Sequence, residues 1–128
     1  MYRRRNILIF GENRECEQAL ALLKQYFDEK KKTFEACVSD RYDELYQQIV
    51  DADPTLDIVL ADGANGMECV YQAKQYHSDM TVFWFSDDSN FSVQSHRLEC
   101  AYFAQKPLTA EKLNKAFCRM GAFGNFIG

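Results

Sequence analysis

The sequence lacks a C-x-x-C pair, although it contains five cysteines. Cys16, Cys37, Cys69, Cys100 and Cys118 are scattered, and none stands at metal-ligand spacing from His77 or His96. Buried free thiols in a reducing cytosol are the plain expectation. No stretch is long enough to span a bilayer, and the N-terminus has no apolar signal-peptide core, so the expected protein is soluble and cytoplasmic, without a membrane partner. Positive charge is not in excess. Fifteen Lys and Arg stand against 19 Asp and Glu, a net charge of −4, which argues against direct nucleic-acid binding by this domain. The basic runs Arg3–Arg5 and Lys30–Lys32 read as a solvated terminus and a solvated loop. Internal repeats and low-complexity segments are absent. So is a G-x-G-x-x-G after the first apolar run, which counts against a nucleotide- or flavin-binding protein.

What is present is a series of short apolar runs separated by helical patterns. At 128 residues the chain is long enough for one domain with a real core. Asp57-Ile58-Val59-Leu60-Ala61-Asp62 is an apolar run between turn-forming flanks, and it reads as a strand buried on both faces. Asn6–Phe10, Thr33–Val38, Thr81–Phe85 and Ala101–Gln105 are the other expected strands. Helical spacing predicts helices from about Arg14 to Glu29, after an N-cap at Asp40, after Asp62 with Met67, Val70, Ala73 and His77 on one side, over roughly Asn90 to Glu99, and after a cap at Thr109. Leu113, Ala116, Phe117 and Met120 form the stripe of the last helix. Tyr71 and Tyr102 are expected to be half-buried. Five strands alternating with five helices imply an α/β fold with a doubly wound parallel sheet, most simply the flavodoxin-like (βα)5 order 2-1-3-4-5. The domain covers residues 1–120, and the glycine-rich residues 121–128 read as a tail or linker.

In a parallel sheet the carboxyl ends of the strands share one edge, where ligands bind in such folds. Glu12, Asp62, Ser86 and Lys106 meet there. Glu12 and Asp62 offer oxygens to Mg²⁺, a hard cation that keeps several waters. An aspartate can also accept a phosphoryl group as an acyl phosphate. The Ser86 hydroxyl suits one phosphoryl oxygen and Lys106 another as a point charge. Phosphoryl transfer asks for little more than this positioning and charge. Plainer readings stand beside these: Asp62 as a cap of the next turn, Glu12 and Lys106 as solvated surface charges, Asp87 and Asp88 as a turn.

D-I-V-L-A-D, F-W-F-S and A-Y-F-A-Q-K-P, in this order and spacing, resemble the third, fourth and fifth strands of receiver domains in two-component response regulators. The similarity runs from about Asn6 to Met120. From Ser86 to Lys106, and on through Pro107 and Leu108, it follows the LytTR-type pattern without gaps. The resemblance implies Asp62 as phosphoacceptor, Ser86 as the Thr/Ser position, Lys106 as the lysine and Phe103 as the aromatic switch residue, a position that core packing would fill equally well. It implies weakly held Mg²⁺ on Glu12, Asp62 and the backbone carbonyl of Ala64. It further implies a sensor histidine kinase as donor, signalling through the helix 4–strand 5–helix 5 face to an effector domain or a second copy, and a role in transcription regulation. Such a domain is no enzyme beyond self-catalysed phosphoryl transfer and autodephosphorylation.

Three departures are visible. Gly11 stands where the family has the first of two adjacent acids. The loop after Asp62 is short, because Gly66-Met67-Glu68 already resembles the start of a helix. Asp87 replaces a small residue beside Ser86; two unit charges ~5 Å apart at an effective dielectric of ~20 repel by ~3 kcal/mol before screening. These departures support an alternative, a degenerate pseudo-receiver acting as a phosphorylation-independent interaction module.

Overall fold

The computed structural model describes residues 6–121; the Arg3–Arg5 run and residues 122–128 of the expected tail lie outside them. Five strands, β1 (Asn6–Phe10), β2 (Glu35–Ser39), β3 (Leu56–Val59), β4 (Thr81–Ser86) and β5 (Tyr102–Gln105), form one sheet in the order β2-β1-β3-β4-β5. Every pairing is parallel, as the alternating pattern predicts. The helices are α1 (Asn13–Glu29), α2 (Leu45–Ala52), α3 (Gly63–Tyr76), α4 (Ser92–Arg97, after a 3₁₀ turn at Ser89–Phe91) and α5 (Ala110–Gly121). None of them is long and apolar enough to cross a membrane.

The alternation of side chains along each strand divides the core into two layers. Ile7, Ile9, Ile58, Leu60, Phe83 and Phe85 pack on one face with α1 and α5, where Phe117 meets the rings of Tyr26, Phe27 and Phe83. Leu8, Phe10, Val59, Ala61, Val82 and Trp84 pack on the other, with α2 and α3. The central strands are buried on both sides, which explains their unbroken apolar runs. Strand β2 is at the edge, and its outer residues Cys37 and Val38 are exposed.

Some local expectations are corrected. Helix α2 begins at Leu45 and not after Asp40, because side-chain bonds hold the backbone out of a helix there. The Ser39 hydroxyl accepts from the Arg41 N–H and bonds the Gln48 side chain, and Gln48 in turn donates to the Arg41 carbonyl. His77 lies past the end of α3, and Tyr71 is exposed, since α3 buries the face of Gly66, Cys69, Val70 and Ala73. Cys16 and Cys69 are buried free thiols, but Cys37 and Cys118 are exposed. Thr109 does cap α5, its hydroxyl accepting from the Lys112 N–H at 3.2 Å, and the stripe Leu113, Ala116, Phe117 and Met120 is buried as predicted.

One buried group runs against the apolar pattern. Asp57, the second residue of β3, is fully buried, and neither carboxylate oxygen has a hydrogen-bond partner. Burial pushes its carboxyl well above the ordinary aspartate range. A carboxyl raised in the folded state stabilises the fold most below its unfolded pKa of ~4, and that contribution is lost as pH rises through the folded value. Wild-type stability should therefore fall from pH 4 upward. Asp57→Asn should flatten the slope and be more stable by about 1–3 kcal/mol at pH 8. Urea unfolding at several pH values checks this, and parallel curves for the two proteins would refute it.

Candidate functional site

Three segments that are distant in sequence meet at the carboxyl edge of the sheet. Asp62 follows β3 and stands immediately before α3 in extended backbone. Ser86 is the last residue of β4, and Lys106 directly follows β5. The ladder continues into this edge: the Leu60 N–H donates to the Phe10 carbonyl at 2.7 Å, and the Lys106 N–H donates to the Ser86 carbonyl at 2.9 Å. The Lys106–Pro107 peptide is cis.

Lys106 is the best-held charge of the site. Its side chain is only 8% exposed, and its ammonium lies 3.2 Å from Asp62 Oδ2 and 2.8 Å from Glu15 Oε2. Burial alone would lower the Lys106 pKa, but the two carboxylates outweigh it and leave the pKa raised. Asp62 remains open to solvent, its side chain 42% exposed. Its other oxygen, Oδ1, accepts the Asp87 backbone N–H at 2.8 Å. Desolvation would raise the Asp62 pKa, yet this N–H and the Lys106 ammonium together hold it below the ordinary value. Asp62 does not act as a side-chain cap of α3.

The remaining residues are placed as follows. Ser86 is fully buried at the same edge, with its hydroxyl turned into the following loop, where it accepts the Asp88 N–H at 3.2 Å. The Asp87 side chain is exposed, and the neighbouring Asp62 carboxylate raises its pKa as two adjacent acids require. Phe103 is half-buried, its ring 5.4 Å from that of Trp84 and tilted by 40°. Glu12 is exposed at the N-cap of α1, beside the end of β1. Ala64 is the second residue of α3, which starts at Gly63 with no intervening loop. Its carbonyl therefore runs along a helix axis instead of being presented from a loop.

Two glycines explain the local path. A Cβ at Gly66 would fall 2.4 Å from the Ala61 carbonyl oxygen and 2.8 Å from the Trp84 indole nitrogen. Glycine there leaves room for the indole to donate to Ala61, one residue before Asp62, at 3.0 Å. A Cβ at Gly11 would lie 2.8 Å from Leu60 Cβ, so this backbone has no space for the missing acid. The partner that sequence reasoning missed is Glu15. Its position in the first turn of α1, three residues after Glu12, was the available signal.

The hard-oxygen donors left for a divalent cation are the exposed carboxylates of Glu12 and Asp62 at the ends of adjacent strands. Among the described residues no group of three His, Cys, Asp or Glu is placed to hold a metal. Two carboxylates do not make a protein cage, so waters would complete the shell of a Mg²⁺ ion held by them.

Replacing Lys106 by Met should destabilise the fold at neutral pH by about 1–2 kcal/mol, a figure discounted for the exposure of Asp62. A lowered carboxyl pKa stabilises above the unfolded value and loses that contribution as pH falls through the folded one. The deficit of the Met variant should accordingly shrink as pH drops below ~4 in denaturant titrations. Gly11→Asp should cost about 1–3 kcal/mol through overpacking against Leu60; a variant as stable as wild type in the same titrations would contradict this.

No family model matches the sequence, and no curated protein matches it. Solved structures do. The chemotaxis protein CheY4 of Vibrio cholerae matches with a TM-score of 0.70 at 13% identity, over 91% of this chain and 98% of that one. The response regulator TrrA of Thermotoga maritima, in complex with Mg²⁺ and BeF, matches with a TM-score of 0.64 at 16% identity, over 92% and 99%. A response regulator protein of Burkholderia multivorans gives 0.65 at 13% identity, over 93% and 96%. Likeness at such low identity concerns the fold: the chain has the five-stranded receiver-type fold over nearly the full length of these proteins.

Proposed function

We propose that this chain is a receiver module of two-component signalling, phosphorylated on Asp62 by a partner histidine kinase. The observation that carries the proposal is the solvent-open Asp62 carboxylate in contact with the nearly buried Lys106 ammonium at 3.2 Å, on a receiver-type sheet with Ser86 at the next strand end. In the transfer an Asp62 oxygen attacks phosphorus, the bond from phosphorus to the donor nitrogen breaks, and the donor imidazole keeps that electron pair. Lys106 neutralises charge on the transferred group, and the Asp87 N–H orients the attacking carboxylate. The Ser86 hydroxyl, leaving the Asp88 N–H, turns to a phosphoryl oxygen. Glu12 and Asp62 would hold Mg²⁺ weakly, and the ion supplies charge neutralisation at the phosphoryl oxygens.

The readout surface in this proposal is the face of α4, β5 and α5, offered to an effector domain or a second copy. Phosphorylation shifts a pre-existing equilibrium there. The short α4, the exposed Val93 on it and the half-buried Phe103 against Trp84 support that choice. Incubation with acetyl phosphate and Mg²⁺ should add one phosphoryl mass to the intact protein, and Asp62→Asn should abolish the adduct. A protein that stays unmodified and fails to bind beryllofluoride would be a phosphorylation-independent module.

A further inference from the structure

Glu15 lies outside the residues given a role above, yet its contact with Lys106 is the shorter of the two that the ammonium makes, 2.8 Å against 3.2 Å to Asp62. It projects from the first turn of α1 and is itself only 29% exposed. A pocket of about 270 Å³ adjoins the pair, lined by Glu15, Gln18, Leu60, Asp87, Pro107 and Leu108 together with Lys106. The ammonium is therefore shared between a carboxylate that accepts the phosphoryl group and one that has no part in the bond changes.

We infer that Glu15 is a positioning residue that holds Lys106 in a standby position and restrains phosphorylation of Asp62; this rests on the receiver reading above. An ammonium has three N–H donors, and two are directed at Glu15 and Asp62. A phosphoryl group arriving on Asp62 brings further negative charge to the same ammonium, which must then turn from Glu15 toward the phosphoryl oxygens. Glu15 opposes this in two ways. It competes for the ammonium, and it places a carboxylate one ion-pair length beyond it, facing the incoming anion. Asp87, the residue after β4, adds to the same field. When Lys106 turns to the phosphoryl group, Glu15 is left beside an anionic centre without its cation. The charge state of Asp62 is thereby felt at the start of α1, on the side of the sheet opposite Trp84 and Phe103.

Glu15→Gln keeps an acceptor oxygen for Lys106 and removes only the charge. With acetyl phosphate as donor, an Asp62 oxygen bonds to phosphorus and acetate leaves with the electron pair of the broken bond, so adduct growth by intact mass gives the rate. The variant should be phosphorylated roughly 5- to 10-fold faster than wild type and should bind beryllofluoride tighter by a similar factor. The fluorescence of Trp84, whose indole bonds the residue before Asp62, reads that binding. Glu17→Gln, the same charge change at an exposed position two residues along α1, should match wild type in both measurements. Equal rates and affinities for wild type and Glu15→Gln overturn the role of Glu15 while leaving Asp62 as acceptor. Equal acceleration by Glu17→Gln overturns it in favour of a general charge effect. No adduct on wild type or either variant overturns the receiver reading and this inference with it. An adduct on Glu15→Gln alone would show the restraint at its strongest.

Discussion

A lysine ammonium is rarely left nearly buried unless carboxylates surround it, because removal from water costs several kcal/mol unless nearby opposite charge offsets it. Lys106 meets that condition with Asp62 on one side and Glu15 on the other. This requirement ties together the end of β3, the end of β5 and the first turn of α1. The backbone reinforces the arrangement: the Lys106 N–H bonds Ser86, and the Lys112 ammonium bonds the carbonyls of Gln105 and Pro107 on either side of Lys106. The stem of Lys106 is thus fixed at its root while its tip is held by charge. A site of this kind has its cation in place before any anion arrives, which is what electrostatic preorganisation requires.

The packing beneath Asp62 is equally constrained and involves no charge. Trp84 fills the space between β4 and α3, and its indole N–H satisfies the Ala61 carbonyl, which would otherwise be a buried acceptor without a partner. Gly66 makes that approach possible, and because α3 must bring Gly66 over the indole, the helix starts directly after Asp62. The short connection noted in the sequence therefore has a packing cause. It also removes the loop that would have presented the Ala64 carbonyl, and Gly11 is closed to a larger residue by Leu60. Both features follow from tight packing of small residues near the end of β3.

The sheet, its order and its two-layered core were legible because buried parallel strands and amphipathic helices each impose a period on the chain. The Thr109 cap and the α5 stripe show this at its clearest. Expectations failed where local polar bonds competed with the helix pattern, as between Ser39 and Gln48, a competition that hydrophobic spacing does not register. Asp62 and Lys106 were legible together because strand ends place them on one edge. Glu15 was not, since a first-turn glutamate is also what an ordinary helix N-terminus prefers, and its contact depends on how far α1 sits from β5. Asp57 escaped for a different reason: apolar spacing includes it at the head of a strand buried on both faces without registering its charge, and the register aligns it with Leu8 and Val82 inside the sheet.

Charge balance explains why the two sides of the edge differ. Asp87 interacts with Asp62 and Glu15, and all three act on the ammonium of Lys106, while Glu12 adds a carboxylate just past the end of β1. The cluster carries more negative than positive charge, and the protein responds where the groups are most exposed: Asp87 titrates above its ordinary value, whereas Asp62, bonded to the ammonium and to an N–H, titrates below. Asp62 is thereby kept ionised at the expense of its neighbour. An anion near Asp62 would meet a net negative field, offset by the ammonium of Lys106. Glu15 shares that ammonium, so the ion pairs that tie β3, β5 and α1 together also govern how strongly the Asp62 carboxylate repels an anion.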